Sequence, residues 1–455
     1  MPRAPLSDAI AFYDDLLKGD VLRRTQELLQ RTSEAKRITY GGRVLAHALR
    51  PHFVTPEAHA ELRRAASAVG QALEEVAARA ATDAAFRESL HPQGWEELLL
   101  PVDGGRPGLA TIGRLDGFVG PDGVIRFIEY NPDPGGPINS HHLGEAFDVS
   151  PAMEAFAKRY DVVRPATAPH LIPSLTALNA RAGRSGPPNL ALFGPPGPDD
   201  SDEEAVYRDY LEANGCPLRI VTSEDDWTYA NGVLRVGDFR VDVITFISSV
   251  GFGGLVVGCG PDHPVMRAIT DGAANFMNGL FRSTMLRSKT LFAALSRMAD
   301  EGAFGAERDA LLKKHIPWTR VVREGMTPRD GARVDLVPYV AAHREHLVLK
   351  PAFDYGGRGV TLGWQTDADT WSATLKQALE ETWVVQERIP LVKTAWPVLD
   401  GGQVRYEEWH SDLNPFLWNG GRPEGFLVRL SSSAMLNLAQ GGSLTPLVVV
   451  DTGKS

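Results

Sequence analysis

Apolar residues at Leu62, Ala65, Val69, Leu73, Val76 and Ala80 recur at steps of three or four, with Glu, Arg and Gln between them. That period predicts an amphipathic helix. Ser7 is placed to cap an earlier helix whose apolar face carries Phe12, Leu16 and Leu17. Residues 7 to about 90 therefore read as a helical packing layer. From Ala110 the period drops to two. TIGRLDGFVGPDGVIRFIEYN reads as strand, turn, strand, with Pro121-Asp122-Gly123 as the turn. Asn139 to Tyr160 reads as helix interrupted at Pro151, and the Pro/Ala/Arg-rich stretch 162–188 as a connector.

A second kind of unit begins at Asn189. NLALFG is a short apolar strand, Asp202 to Asn214 a charged helix, PLRIV another strand, and VDVITFI a later one. Strand alternating with helix predicts an open α/β sheet. The last unit starts near Lys289, with helix over 289–315 and strands at 346–350, 359–363, 383–389, 425–431 and 445–450. The expected division is 1–109, 110–160, 161–188, 189–285 and 286–455, in a mixed α/β (α+β) chain without internal repeats.

Composition narrows the function classes. With 47 Lys+Arg against 57 Asp+Glu the net charge is −10, which disfavours a general nucleic-acid binder, since that needs clustered cations. The hydrophobic share, 43%, is ordinary for a globular chain. Only Cys216 and Cys259 occur, so there is no zinc-type pair and at most one disulfide, and a reducing cytoplasm is expected. MPRAPLSDAI lacks a long apolar core for a signal peptide. The stretch nearest to a membrane span, Val241 to Val257, is broken by Thr245, serines and glycines.

Four segments could carry chemistry. LVLKPAFDYGGRGVTLG delivers Lys350 at a strand end, followed by a loop with Gly356, Gly357 and Gly359. Such glycines let backbone N–H groups approach an anion, and the lysine supplies a point charge for phosphate. On the hairpin, Arg114 and Asp116 share one strand face, as do Glu129 and Asn131 on the next. If the strands pair, two carboxylates, an amide and a guanidinium converge, a donor set suited to Mg²⁺ with substrate phosphates; an inward Arg–Asp salt bridge is the other reading. VVQERI offers Gln386 and Glu387 to an adenine edge and ribose, or is an exposed strand end. Arg429 lies in a strand running into a Ser/Asn/Gly-rich turn.

Other motifs fail on spacing. The terminal TGKS would need glycine where Val448 stands and a following helix. His141-His142 are adjacent, HREH at 343–346 is not HExxH, and there is no GxSxG.

Taken in order, GRLD, FIEYN, the Lys289 segment LRSKTLFAAL, LKPAFDYGGRGV, VVQE and the late arginine resemble the circularly permuted ATP-grasp family, which includes the synthetase half of glutathionylspermidine synthase. In the common ATP-grasp order the lysines and Gly-rich loop precede the Arg…Asp…Glu-x-Asn motif; here they follow it. The resemblance spans roughly 100–450 and implies an ATP-grasp fold with an N-terminal helical layer and an open α/β domain of pre-ATP-grasp type. It further implies ATP with Mg²⁺, two ions in the family. Asp116, Glu129 and Asn131 would be metal ligands, Arg114 and Arg429 would act on the transferring phosphoryl group, and Lys289, Lys350, Gly356 and Gly357 would hold phosphates. Gln386, Glu387 and Ile389 would line the adenine and ribose pocket. The implied activity is carboxylate–amine ligation through an acyl phosphate on small-molecule substrates, without nucleic acid or membrane. The alternatives are an ATP-grasp phosphotransferase with another acceptor and a non-catalytic nucleotide binder. One departure stands out: after E-x-N the relative continues Asp-Thr-Pro-Thr, where this chain has PDPGGPINSHH. The relative's amidase half also has no counterpart in these 455 residues. Its peptide and polyamine contacts are therefore not carried over.

Overall fold

The alternating stretch after Ala110 folds as a hairpin of Ile112–Val119 and Ile125–Asn131 in a computed structural model of the chain. The structure describes residues 5–104, 110–194, 202–246, 258–354, 357–400, 403–434, 436, 438 and 441–453. Gly356, most of the loop after NLALFG and residues 247–257 lie outside them. At the hairpin turn Gly123 takes φ +73°, a region open to glycine, and its N–H donates to Gly120 O.

The hairpin joins one edge of the largest sheet. Ile112–Val119 pairs with Gln403–Trp418, which pairs with Arg422–Ser431, which pairs with Ser443–Thr445, all antiparallel. Thr394–Asp400 adds to the outer half of the 403–418 strand. The long helix Pro56–Thr82 packs against this sheet with Leu62, Ala65, Val69, Leu73, Val76 and Ala80 all buried, as its period predicts. A Cβ on Gly70 of this helix would come within 2.7 Å of Gly421 Cα, so the helix and the turn after Trp418 approach at backbone distance.

A smaller antiparallel sheet has the order Thr319–Val321, Trp383–Glu387, Leu347–Pro351, Thr361–Leu362. Leu347, Leu349, Trp383 and Val385 point into a separate core under the helices Leu336–Ala342 and Ala368–Glu380, with Trp371 and Leu375. By strand parity, Val348, Lys350, Val384 and Gln386 face the other way. The α/β unit forms a four-stranded parallel sheet, ordered Asn275–Phe276, Val243–Thr245, Leu190–Phe193, Leu218–Val221, with the helix Asp202–Ala213 between two of its strands in sequence.

Several details differ from the sequence reading. The first helix is Leu6–Leu16; its N-cap is Pro5, and Ser7 lies in the first turn with its hydroxyl on Asp8, while Ala9 and Tyr13 are its buried residues. The N-terminal region also contains a strand, His52–Val54, which pairs in parallel with Leu447–Asp451. The stretch 162–188 holds the helix Leu171–Arg181, with Leu171, Leu175 and Leu178 buried at helical spacing. Pro151 does break the 139–160 helix, but by starting a new one: Ser150 caps Pro151–Phe156 by accepting from Met153 N. Among the described residues no helix is long and apolar enough to cross a membrane. Cys216 and Cys259 are both buried free thiols.

Candidate active site

A cavity of about 310 Å³ lies between the large and the small sheet. Arg114, Asp116, Glu129, Asn131, Lys289, Lys350, Gly357, Gln386, Glu387, Ile389 and Arg429 all line it. These candidate residues, brought from segments far apart in the chain, are thus in one place; Gly359 is not among the lining residues. Gly356 lies outside the described residues. Apolar wall is added by Phe118, Ile128, Val348, Leu362, Trp364 and Leu391, none of which the sequence singled out.

The hairpin register places Arg114 opposite Asn131 and Asp116 opposite Glu129, then slips by a bulge at Asp116/Gly117. Asp116 is buried at 2% exposure. Its Oδ1 accepts from Arg114 Nε at 2.6 Å; its Oδ2 accepts from Arg114 Nη2 at 3.1 Å and from Arg429 Nη2 at 2.8 Å. Burial alone would raise the Asp116 pKa, but the two guanidiniums outweigh it and hold the carboxyl down at about 2. The Arg114–Asp116 pair is thus a salt bridge. The Glu129 carboxylate accepts no hydrogen bond among the described residues but acts electrostatically on Lys289, Lys350 and Arg429, and Asn131 Nδ2 is buried without a partner.

Arg429 is held from below by Asp412, directly opposite on the neighbouring strand. Asp412 is fully buried and accepts from Arg429 N at 2.9 Å and Nε at 2.7 Å. Sequence inspection missed Asp412, because a lone acid within a mixed polar stretch gives no periodic signal.

Lys350 comes from the small sheet and Lys289 from the start of the helix Thr290–Asp300. Lys350, 7% exposed, donates from Nζ to Gln386 Oε1 at 2.6 Å. Burial pushes its ammonium down to about 8, with Glu129 opposing that shift and Lys289 assisting it. Burial also lowers Lys289, against the pull of Glu129 and Asp354. Lys289 Nζ bonds the backbone oxygen of Asp354, and its N–H bonds Ala352 O, so it is tied to the loop that follows Lys350. Gln386 is spent inside the protein: Nε2 donates to Thr319 Oγ1 at 3.0 Å and Ile128 O at 3.4 Å. Glu387 pairs with Arg329 at 3.0 Å and stays partly open.

A larger cavity, about 830 Å³, lies between the helix Pro56–Thr82 and residues 275–282. In it Arg282 pairs with Glu74 through Nη2, its Nε and Nη1 being buried without a hydrogen-bond partner among the described residues, and Asp103 accepts from the Leu280 and Phe281 N–H groups. Among the described residues no three His, Cys, Asp or Glu side chains form a metal cage.

No protein-family model and no curated protein matches the chain. Solved structures do. A glutathione synthetase-like effector from Globodera pallida, in its apo form, superposes with a TM-score of 0.59 at 14% identity, covering 95% of this chain and 98% of its own. A chain described as a putative γ-glutamylcysteine synthetase from Methylobacillus flagellatus aligns at 12% identity over 87% and 89% of the two chains, with a TM-score of 0.40. The first of these likenesses is one of fold alone.

Proposed function

We propose that this chain is an ATP- and Mg²⁺-dependent carboxylate–amine ligase of circularly permuted ATP-grasp arrangement. One observation carries the reading: two phosphate-type lysines, one on the small sheet and one at the start of the helix Thr290–Asp300, and an Arg/Asp/Glu/Asn set on the large sheet enclose a single cavity. The likeness of fold supports it. The permutation is supported by the order of the parts, since the hairpin at 112–131 precedes the lysine strand at 347–351 yet pairs within the sheet with residues 416–418.

Lys350 and Lys289 would neutralise nucleotide phosphates, with Gly357 beside them; Gln386 holds Lys350 in position rather than reading a base. Glu387, Ile389 and the apolar wall would take the adenosine. Glu129 and Asn131 fit a Mg²⁺ ion. The carboxylate accepts no hydrogen bond among the described residues, and the buried amide has an unpaired end that, turned over, presents its oxygen. Asp116 fits once a cation competes for its oxygens, which Arg114 and Arg429 now occupy. The metal would supply charge neutralisation between the phosphates.

A carboxylate oxygen of the acid attacks the γ-phosphorus while the bond to the β-phosphate oxygen breaks, giving an acyl phosphate and ADP. The amine then attacks the acyl carbon, phosphate leaves, and the nitrogen gives up a proton. The protein's part is positioning and fixed charge, Arg114 and Arg429 facing the group that gathers negative charge. The test uses the acid found by a mass-spectrometric screen of amino acids, peptides and polyamines with ATP. With the amine omitted, hydroxylamine traps a hydroxamate in step with ADP release. Production of AMP and pyrophosphate overturns the reading.

A further inference from the structure

Between Arg114 and the interior of the large sheet runs a chain of buried polar groups that nucleotide and metal binding leave unused at one end. Gly117 N, at the hairpin bulge, donates to Asn414 Oδ1 at 3.1 Å, and Asn414 Nδ2 donates to Asp412 Oδ1 at 2.7 Å. Asp412 holds Arg429, Arg429 reaches Asp116, Asp116 holds Arg114, and Arg114 Nη1 donates to Gly135 O at 3.2 Å. Asp412 and Asn414 are both fully buried. Neither lines the cavity.

The two carboxylates do not grip Arg429 alike. Asp412 takes its backbone N–H, its Nε, and Nη2 at 2.6 Å. Asp116 takes Nη2 alone and also serves Arg114 on both oxygens. Nη1 of Arg429 has no partner among the described residues, on a side chain that lines the cavity. A fully buried carboxylate is costly unless its charge is answered, and here the one guanidinium that pairs with it is that of Arg429 among the described residues. A fork held on two sides has one direction left for its remaining donors.

We propose that Asp412 is a positioning residue that sets the Arg429 guanidinium for the transferring phosphoryl group and keeps it there when Asp116 is drawn away; this rests on the ligase reading of the cavity. Asn414 fixes Asp412 in turn and couples it to the backbone of the hairpin that carries Asp116.

The experiment compares the full-length protein with Asp412→Asn, which keeps the size and one acceptor but sets an NH₂ group or a neutral oxygen against the guanidinium. Calorimetry measures MgADP alone and MgADP with fluoroaluminate, a mimic of the phosphoryl group in flight. Wild type binds the fluoroaluminate mixture more tightly than MgADP. Asp412→Asn keeps MgADP affinity within about threefold and loses about 10²-fold for the mixture, the size of one transition-state donor. In an Arg429→Ala background Asp412→Asn adds nothing further, because both act through one group. If Asp412→Asn unfolds, Arg429→Lys takes its place: it keeps the charge, cannot be gripped as a fork, and loses the same fluoroaluminate gain. An undiminished gain in the folded Asp412→Asn protein, or in Arg429→Lys, or an additive loss in the double variant, overturns the role of Asp412 and leaves the ligase reading standing. Absence of any fluoroaluminate gain in wild type defeats the phosphoryl-transfer reading and this inference with it.

Discussion

Lys350 Nζ donates to Oε1 of Gln386 across adjacent antiparallel strands, so the amide that fixes the ammonium is itself fixed by Thr319 and by the hairpin backbone at Ile128. Through Gln386 the phosphate-type lysine of the small sheet is registered against the carboxylate hairpin of the large one. Removing the ammonium in Lys350→Ala is expected to weaken ATP binding about 10- to 100-fold, since hydrogen bonds to charged groups contribute roughly 1.5–3 kcal/mol. Calorimetric titration with ATP and Mg²⁺ checks it; unchanged affinity would show that the phosphates lie elsewhere.

The same lysine gives a pH signature. Its folded-state pKa of about 8 lies below the ordinary lysine value, so it is charged below pH 8 and neutral above. Phosphate binding favours the charged form. ATP affinity is therefore expected to fall as pH rises beyond about 8, with proton uptake on binding that appears as a dependence on buffer ionisation enthalpy. Lys350→Met should flatten both. A wild-type affinity constant from pH 7 to 9.5 contradicts the assignment.

Glu129→Gln and Asn131→Ala should leave the lysines and the apolar wall intact while removing oxygen ligands. Turnover is expected to fall about 10²- to 10³-fold, by analogy with the loss of one transition-state donor, and the Mg²⁺ midpoint to move upward. Wild-type rates across a Mg²⁺ titration in both variants would displace the metal from the hairpin.

Stability carries a separate signature at Glu96, which is 1% exposed. Burial raises its pKa to about 7, against the pull of the Gln93 N–H that its Oε2 accepts and of Arg287. A raised carboxyl pKa means the native state holds the proton more tightly than the unfolded chain. Its contribution is complete below about pH 4.5 and is lost as pH climbs through 7, by up to roughly 3 kcal/mol. Urea melts at pH 5 and pH 8 should show a smaller pH penalty in Glu96→Gln than in wild type. Equal penalties would rule Glu96 out as the source.

Gly113 tests the packing behind the site. A Cβ there would meet the Tyr130 ring and hydroxyl at 2.1–2.5 Å. Gly113→Ala should destabilise the protein by about 1–3 kcal/mol, the usual cost of overpacking. A chemical denaturation midpoint equal to wild type would show that Tyr130 moves freely.

The hairpin and its inward residues were legible because period two, a Pro-Asp-Gly turn and side-chain parity all agree over 112–131. The lysine strand was legible for a related reason: four apolar neighbours make Lys350 conspicuous. The strand Gln403–Trp418 was not read. Its first half, QVRYEEW, is mostly solvent-facing, and its second half is buried yet carries Asp412, Asn414 and Pro415, residues that ordinarily mark loops. Besides the bond between Asn414 and Asp412 themselves, their partners are Gly117 and Arg429 on the two flanking strands, which no local pattern points to. The helix Leu171–Arg181 did carry a signal in Leu171, Leu175 and Leu178, masked by Pro169 and Pro173. Pro173 is tolerated because it falls in the first turn, where its missing N–H costs no intrahelical bond.

The pairing of Arg114 with Phe416 and of His52 with Leu447 also sets an order of events during synthesis. The hairpin leaves the ribosome with one edge of Ile112–Val119 open, and the strand that closes it, Gln403–Trp418, is made much later. Until then a row of unpaired backbone N–H and C=O groups is available to any passing strand, which is the situation chaperones guard against. Long-range closure of this kind slows folding, so refolding yield should depend steeply on protein concentration, and the arginine–carboxylate ladder should be among the last parts to form.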